Sequence, residues 1–187
     1  AFLIADMPFM SYSTIDLALQ NATRLMQEGG AHMVKLEGSA NQVDVVASLV
    51  SHGAPVCAHL GLRPQFIHKL GGYKVQGRDQ STARALLNDA KTLENAGADM
   101  LLLECVPASL AAEITASVAV PVIGIGAGKE CDGQILVLYD ILGLTPGKSP
   151  KFCKDFLLEG GTILQAVEDY VAAVKSSMFP GPEHTFI

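Results

Sequence analysis

Short apolar runs, each closed by a polar residue and followed by a turn and a helical stretch, recur along the chain. Ala1 to Ala5 is apolar and ends at Asp6; the helical pattern after it, about Thr14 to Glu28, has Ser13 or Thr14 as its N-cap. His32 to Leu36 ends at Glu37, ahead of a helix near Asn41 to Ser51. Pro55 to Ala58 ends at His59, and a long Gly-rich loop then runs to about Gly77. Asp79 to Asn95 is helical by period and composition, with Gly97 closing it. Asp99 to Leu103 ends at Glu104, before a helix near Ala108 to Ser117, and Pro121 to Ile125 enters Gly126-Ala127-Gly128. Gln134 to Tyr139, ending at Asp140, reads as a strand or as a buried helix. Two helices, near Lys151 to Glu159 and Ile163 to Ser176, precede a loose tail.

Apolar runs of this length without alternation belong to strands buried on both faces, hence to a parallel sheet with helical crossovers. The pattern also repeats itself. Gly30-Ala31-His32-Met33-Val34-Lys35-Leu36-Glu37 matches Gly97-Ala98-Asp99-Met100-Leu101-Leu102-Leu103-Glu104: each copy leaves a helix through Gly-Ala, forms a strand and ends in a carboxylate. A repeated β/α unit favours a (β/α)8 barrel over a doubly wound sheet. Six strands are countable here, where a barrel uses eight in about 250 residues. The chain opens on Ala-Phe-Leu-Ile-Ala-Asp, which resembles the end of a buried strand, so two further β/α units are expected upstream. The expected organisation is a single barrel domain over 1–187, N-terminally incomplete, with C-terminal helices at about 151–176.

Composition narrows the field. With 49% hydrophobic and 17% charged residues the chain is not intrinsically disordered. No apolar run reaches the ~18 residues of a membrane span; the nearest, Ile114 to Gly128, is broken by Pro121 and three glycines. A net charge of −6 with 13 basic residues argues against a nucleic-acid surface. The four cysteines have no CxxC spacing and read as reduced thiols in a cytosol-like compartment.

Ligands of parallel β/α folds sit at the carboxyl ends of the strands. Asp6, Glu37, His59, Glu104, the Gly124-to-Gly128 turn and Asp140 all fall there. Asp6, before Met7-Pro8, reads equally as a turn residue or as a hard-cation ligand. Lys35 and Glu37 stand two apart and share a face, as a buried ion pair or as a ligand site. Glu104 follows three leucines; it either caps the next helix or pairs with a Lys, or works as a general base, its carboxylate disfavoured by a dry strand. His59 is a core histidine or a group that polarises a substrate oxygen. Gly124-Ile125-Gly126-Ala127-Gly128 lacks the rest of a dinucleotide fingerprint and reads as a tight turn or a close backbone approach to a ligand. Tyr73, Lys74 and Arg78 in the long loop could hold an anion, or be solvated.

Together these segments resemble the ketopantoate hydroxymethyltransferase family. The matching stretches are Ala5 to Met10, Met33 to Gly38, His59 to Leu62, Gly71 to Gly77, Leu103 to Pro107, Pro121 to Gly128, Asp132 to Gln134 and Phe179 to Gly181, in order through the chain. The resemblance implies a (β/α)8 TIM barrel of the phosphoenolpyruvate mutase/isocitrate lyase type, with about six of the eight units present. It implies hydroxymethyl transfer from 5,10-methylenetetrahydrofolate to 3-methyl-2-oxobutanoate, giving 2-dehydropantoate in pantothenate biosynthesis through a Mg2+-stabilised enolate. Asp6 and Glu37 match the metal-binding carboxylates, Lys35 and His59 match residues that hold the keto acid, and Glu104 matches the general base. The family's first two β/α units, with an Asp-Ser pair near the metal, have no counterpart here. A cytoplasmic homo-oligomer, a decamer built from rings, is also implied. Two other readings stand beside this one: a Mg2+-dependent C–C lyase of the same superfamily, and a non-catalytic fragment or subunit that needs a partner's strands.

Overall fold

The computed structural model describes residues 1–187. Six strands, β1 (Ile4–Asp6), β2 (Met33–Glu37), β3 (Val56–Gly61), β4 (Met100–Glu104), β5 (Val122–Ile125) and β6 (Gly133–Gln134), form one sheet whose order in space is their order in the chain. Every pair is parallel. A doubly wound sheet reverses direction at a switch point; here each strand adds to the same side of the last, which is barrel winding. The sheet is an arc of such a barrel, ending at β1 and β6.

The connections supply the outer layer. They include α1 (Ile15–Thr23), α2 (Val43–Ser51), α3 (Ile67–Leu70), α4 (Gln80–Asn95) and α5 (Ala108–Ser117), and the C-terminal part adds α6 (Leu138–Ile141), α7 (Leu157–Gly160) and α8 (Ile163–Lys175). None is long and apolar enough to cross a membrane. Both faces of the sheet are covered, which is why the strand sequences do not alternate. On the outer face Leu36, Ala58, Leu101 and Leu103 join a core with Ala18, Leu49, Leu93 and Ile114 of the helices. On the inner face Met33, Cys57, Leu102 and Ile125 belong to a second cluster with Phe156, Ala166 and Phe179.

Most expected elements are present within a residue or two. Thr14 caps α1 by accepting from the Leu17 N–H (3.3 Å), and the helix runs on through a π turn to Glu28. Three segments differ. The Gly-rich loop after β3 contains a 3-10 turn (Pro64–Phe66) and α3. Of the run Gln134 to Tyr139 only Gln134 is strand and Leu138 and Tyr139 open the short helix α6; Leu136 alone is buried, while Ile135, Val137, Leu138 and Tyr139 are exposed, so the run is neither a buried strand nor a buried helix. The helix expected from Lys151 begins only at Leu157, because the Asp155 carboxylate accepts from the Leu157 and Leu158 N–H groups and starts a new turn there.

Asp79 caps α4: its Oδ1 accepts from the backbone N–H of Ser81 (3.1 Å) and Thr82 (3.0 Å), and both hydroxyls also donate to the carboxylate. The hydroxyl bonds, with the Thr82 N–H, hold the Asp79 carboxyl well below its usual range. A carboxylate with a depressed folded pKa stabilises the fold above its unfolded value of ~3.9, and that stability is lost as pH falls. Asp79→Ala should therefore melt at a lower temperature than the unmodified chain at pH 7, with the gap narrowing below about pH 4. A gap that is constant with pH, measured by circular dichroism, would contradict this.

Candidate active site

Strand register decides which side chains meet. Asp6 is paired with Lys35, Lys35 with Cys57, Glu37 with His59, and Gly61 with Glu104. Residues in register share a face, so Asp6, Lys35, Glu37, His59 and Glu104 all stand on the inner face, at the carboxyl end, above the apolar layer of Met33, Cys57 and Leu102. The structure brings all five into one chain of contacts. The Lys35 ammonium lies 2.8 Å from Asp6 Oδ1, 3.1 Å from His59 Nδ1 and 3.8 Å from Glu37 Oε1. His59 Nε2 lies 3.2 Å from Glu104 Oε2.

The chemistry of these atoms fixes the proton on the imidazole. An ammonium can only donate, so His59 Nδ1 accepts from Lys35 and the ring proton of the neutral imidazole sits on Nε2. That nitrogen is buried and, despite its proximity to Glu104, lacks an aligned hydrogen-bond partner. An unpaired buried donor costs ~1–3 kcal/mol and calls for an acceptor that a bound molecule can supply. Glu37 is 2% exposed. Burial raises its pKa, while the Gln65 N–H and the Lys35 ammonium pull it back. Asp6, by contrast, has a side chain 53% exposed, so the cluster opens to solvent on the β1 side.

Three carboxyl groups share one ammonium and one imidazole here, an excess of acid that a further cation would balance. Asp6 and Glu37 both turn an oxygen toward the Lys35 ammonium, which brings the two carboxylates to one side of the cluster. Their hard oxygens suit Mg2+, which takes one or two protein carboxylates and completes its shell with water and substrate. No group of three or more His, Cys, Asp or Glu side chains is arranged as a full metal cage. The donor set thus fits a Mg2+ that is only partly protein-bound.

Other candidates lie elsewhere. Asp140 is in α6, buried, with its carboxylate taken by the Thr145 hydroxyl at 2.5 Å. The glycine turn after β5 is tight because of the protein itself: a Cβ on Gly126 would meet the Phe152 ring at 2.9 Å, and one on Gly128 would meet Ala108 Cβ at 2.6 Å. Tyr73 in the long loop is exposed, and its part of the loop is anchored nearby through the Gln76 N–H, which donates to the Cys105 carbonyl (2.9 Å). A cleft of about 160 Å3 between the β3 end and α4, lined in part by Leu60, Arg63 and Asp89, holds none of the five residues. Tyr12 and Gln65, which carry hydrogen bonds to Glu37, gave no signal in the sequence. Both sit in loops and reach Glu37 only through tertiary closure.

Close packing sets Glu104 in place. Gly61 is its register partner, with φ +86°, and a Cβ there would collide with the Glu104 carbonyl oxygen and press on Val106. Gly61→Ala is expected to cost about 1–3 kcal/mol of stability and to displace Glu104. Urea unfolding alongside an activity assay reads both; unchanged values for the two would contradict the close approach.

Comparison with known proteins decides the family. Residues 1–182 match the family model described as ketopantoate hydroxymethyltransferase. The chain belongs to that family. A relative from Alkalilimnicola ehrlichii, named 3-methyl-2-oxobutanoate hydroxymethyltransferase, is 60% identical over 186 residues, which cover 100% of this chain and 67% of the relative. One of the same name from Marinobacter nauticus is 58% identical over 186 residues, covering 100% of this chain and 70% of the relative. The chain thus spans about two thirds of the length of these transferases. A solved structure from Burkholderia cenocepacia J2315, provisionally named a phosphonomutase, aligns over 92% of this chain and 70% of its own at 18% identity with a TM-score of 0.50. That likeness concerns the fold, and agrees with barrel winding.

Proposed function

We propose that this ketopantoate hydroxymethyltransferase family member transfers a hydroxymethyl group from 5,10-methylenetetrahydrofolate to C3 of 3-methyl-2-oxobutanoate, forming 2-dehydropantoate. The observation that supports the reading best is the contact chain Asp6–Lys35–His59–Glu104, with Glu37 beside it, at the carboxyl end of strands whose sequence belongs to this family.

Asp6 and Glu37 would hold Mg2+, directly or through water. Bound there, the ion supplies Lewis acidity that draws electron density from the 2-oxo group and acidifies the C3–H bond. The remaining work falls to this chain's side chains. Lys35 neutralises the substrate carboxylate, and the His59 Nε2–H donates to the 2-oxo oxygen, filling the hydrogen bond it lacks. Glu104, next to that donor, takes the C3 proton. The C–C bond then forms at C3 with a one-carbon unit at the formaldehyde level. Both of its C–N bonds to the folate break, water provides the hydroxyl oxygen, and tetrahydrofolate leaves. The same reading carries a cytoplasmic homo-oligomer, a decamer by family resemblance.

The test is the transfer itself. With Mg2+, 3-methyl-2-oxobutanoate and 5,10-methylenetetrahydrofolate, mass spectrometry should detect 2-dehydropantoate, and omission of the folate should abolish it. A C–C cleavage product formed without folate would favour the lyase chemistry instead.

A further inference from the structure

A closed ring of hydrogen bonds grips the two carboxylate-bearing segments from behind. The Glu37 N–H donates to the Tyr12 hydroxyl (3.3 Å), that hydroxyl donates to Gln65 Oε1 (2.5 Å), and the Gln65 N–H returns to Glu37 Oε2 (2.9 Å). The Gln65 amide nitrogen donates to the Met7 carbonyl (2.8 Å), the residue after Asp6. Three elements distant in sequence are thus joined: the β1 exit, the β2 end and the loop after β3. The direction of every bond is fixed, with the Tyr12 hydroxyl accepting from Glu37 and donating to Gln65. The Met7 carbonyl can only accept, so the amide is oriented with Nε2 toward it and Oε1 toward Tyr12, whose single proton is then committed to Gln65.

We infer that Tyr12 and Gln65 are positioning residues that set the separation and aim of Asp6 and Glu37 for a divalent cation; this rests on the reading that those two carboxylates hold the metal. Neither residue has a place in the chemistry above. Tyr12 is 4% exposed and Glu37 2%, so the bonds between them are shielded from water and exchange with solvent cannot replace them. The carboxylates themselves are unequal. Glu37 is held at both its backbone and its side chain, whereas Asp6 is largely solvent-exposed and is located only through its neighbour Met7 and through Lys35. Without the ring, Asp6 would keep its register but lose the loop that fixes its chain direction, and Glu37 would keep its burial but lose its aim. Outer partners of this kind commonly govern metal affinity by about 10- to 100-fold.

The test uses the full chain and Mn2+ alone, with free Mn2+ followed by electron paramagnetic resonance. Tyr12→Phe keeps the ring in its packed place and removes only the hydroxyl. Gln65→Leu removes the side-chain bonds and keeps the backbone N–H that meets Glu37. Both should weaken Mn2+ binding by about 10-fold or more. Ile114→Val, in the outer core away from the site, should lower the melting temperature and leave Mn2+ affinity unchanged, which separates positioning from loss of stability. Affinities within twofold of the unmodified chain for both ring variants would overturn the inference. In that event a weakened Asp6→Asn variant would leave the metal reading standing. Failure of the unmodified chain to bind Mn2+ would overturn both.

Discussion

Glu104→Gln should abolish exchange of the C3 proton of 3-methyl-2-oxobutanoate while leaving the fold in place. A positioned general base contributes ~10²–10⁴-fold, and glutamine fills the same space without the ability to take a proton. The Glu104 side chain is only 13% exposed and its Oε2 stands 3.2 Å from His59 Nε2, so the carboxylate is placed where a substrate oxygen and an acidic C–H would lie side by side. Substitution by the amide keeps a hydrogen-bonding group opposite His59, so melting temperature should change little. Proton NMR in D2O measures the exchange. A variant that exchanges within tenfold of the unmodified chain would remove Glu104 from the role of base.

Lys35→Met should have the largest effect on stability. The ammonium is the one cation that Asp6, Glu37 and His59 all touch. Removing one partner of a buried charge pair costs about 3–5 kcal/mol; the exposure of Asp6 lets water take up part of that, so about 2–3 kcal/mol is expected at pH 7. The loss should depend on pH. Burial already raises the Glu37 pKa, and the variant lacks the Lys35 charge that pulls it back. The folded variant then keeps a proton that the unfolded chain releases above its ordinary value of ~4.3, so stability falls as pH rises from there through the raised folded value. Urea unfolding should show a large deficit at pH 7 that shrinks toward pH 4. A deficit equal at both would show that Lys35 acts through packing alone.

How much of this could be read from residues follows from the kind of order that produces each part. The strands were legible because both faces are buried, which writes unbroken apolar runs, and because the polar residue that ends most runs stands at or near the carboxyl end of its strand; Asp140, which ends the last run, lies in α6 instead, and β3 continues two residues past His59. Asp6, Glu37, His59 and Glu104 needed only that rule, and Lys35 needed only its spacing of two from Glu37. Their convergence required the register, which the sequence does not state. Tyr12 and Gln65 were illegible for a different reason: each sits in a loop, far in sequence from Glu37, and acquires a role only when the two loops close on the end of β2. Gln134 to Tyr139 misled because an apolar run normally means burial, whereas here Ile135, Val137, Leu138 and Tyr139 remain on the surface near the β6 end of the sheet. Asp155 defeated the helix expected from Lys151 by the opposite route, since one side chain's local hydrogen bonds outweighed a helical composition.

The central claim is that the inner-face cluster removes the C3 proton of a 2-oxo acid. The most direct measurement is proton NMR of 3-methyl-2-oxobutanoate in D2O with this chain and Mg2+, without folate. The account predicts loss of the C3–H signal, dependent on Mg2+ and on Glu104. A signal that persists at its uncatalysed rate, from a chain shown by circular dichroism to be folded, would contradict it and favour the non-catalytic reading.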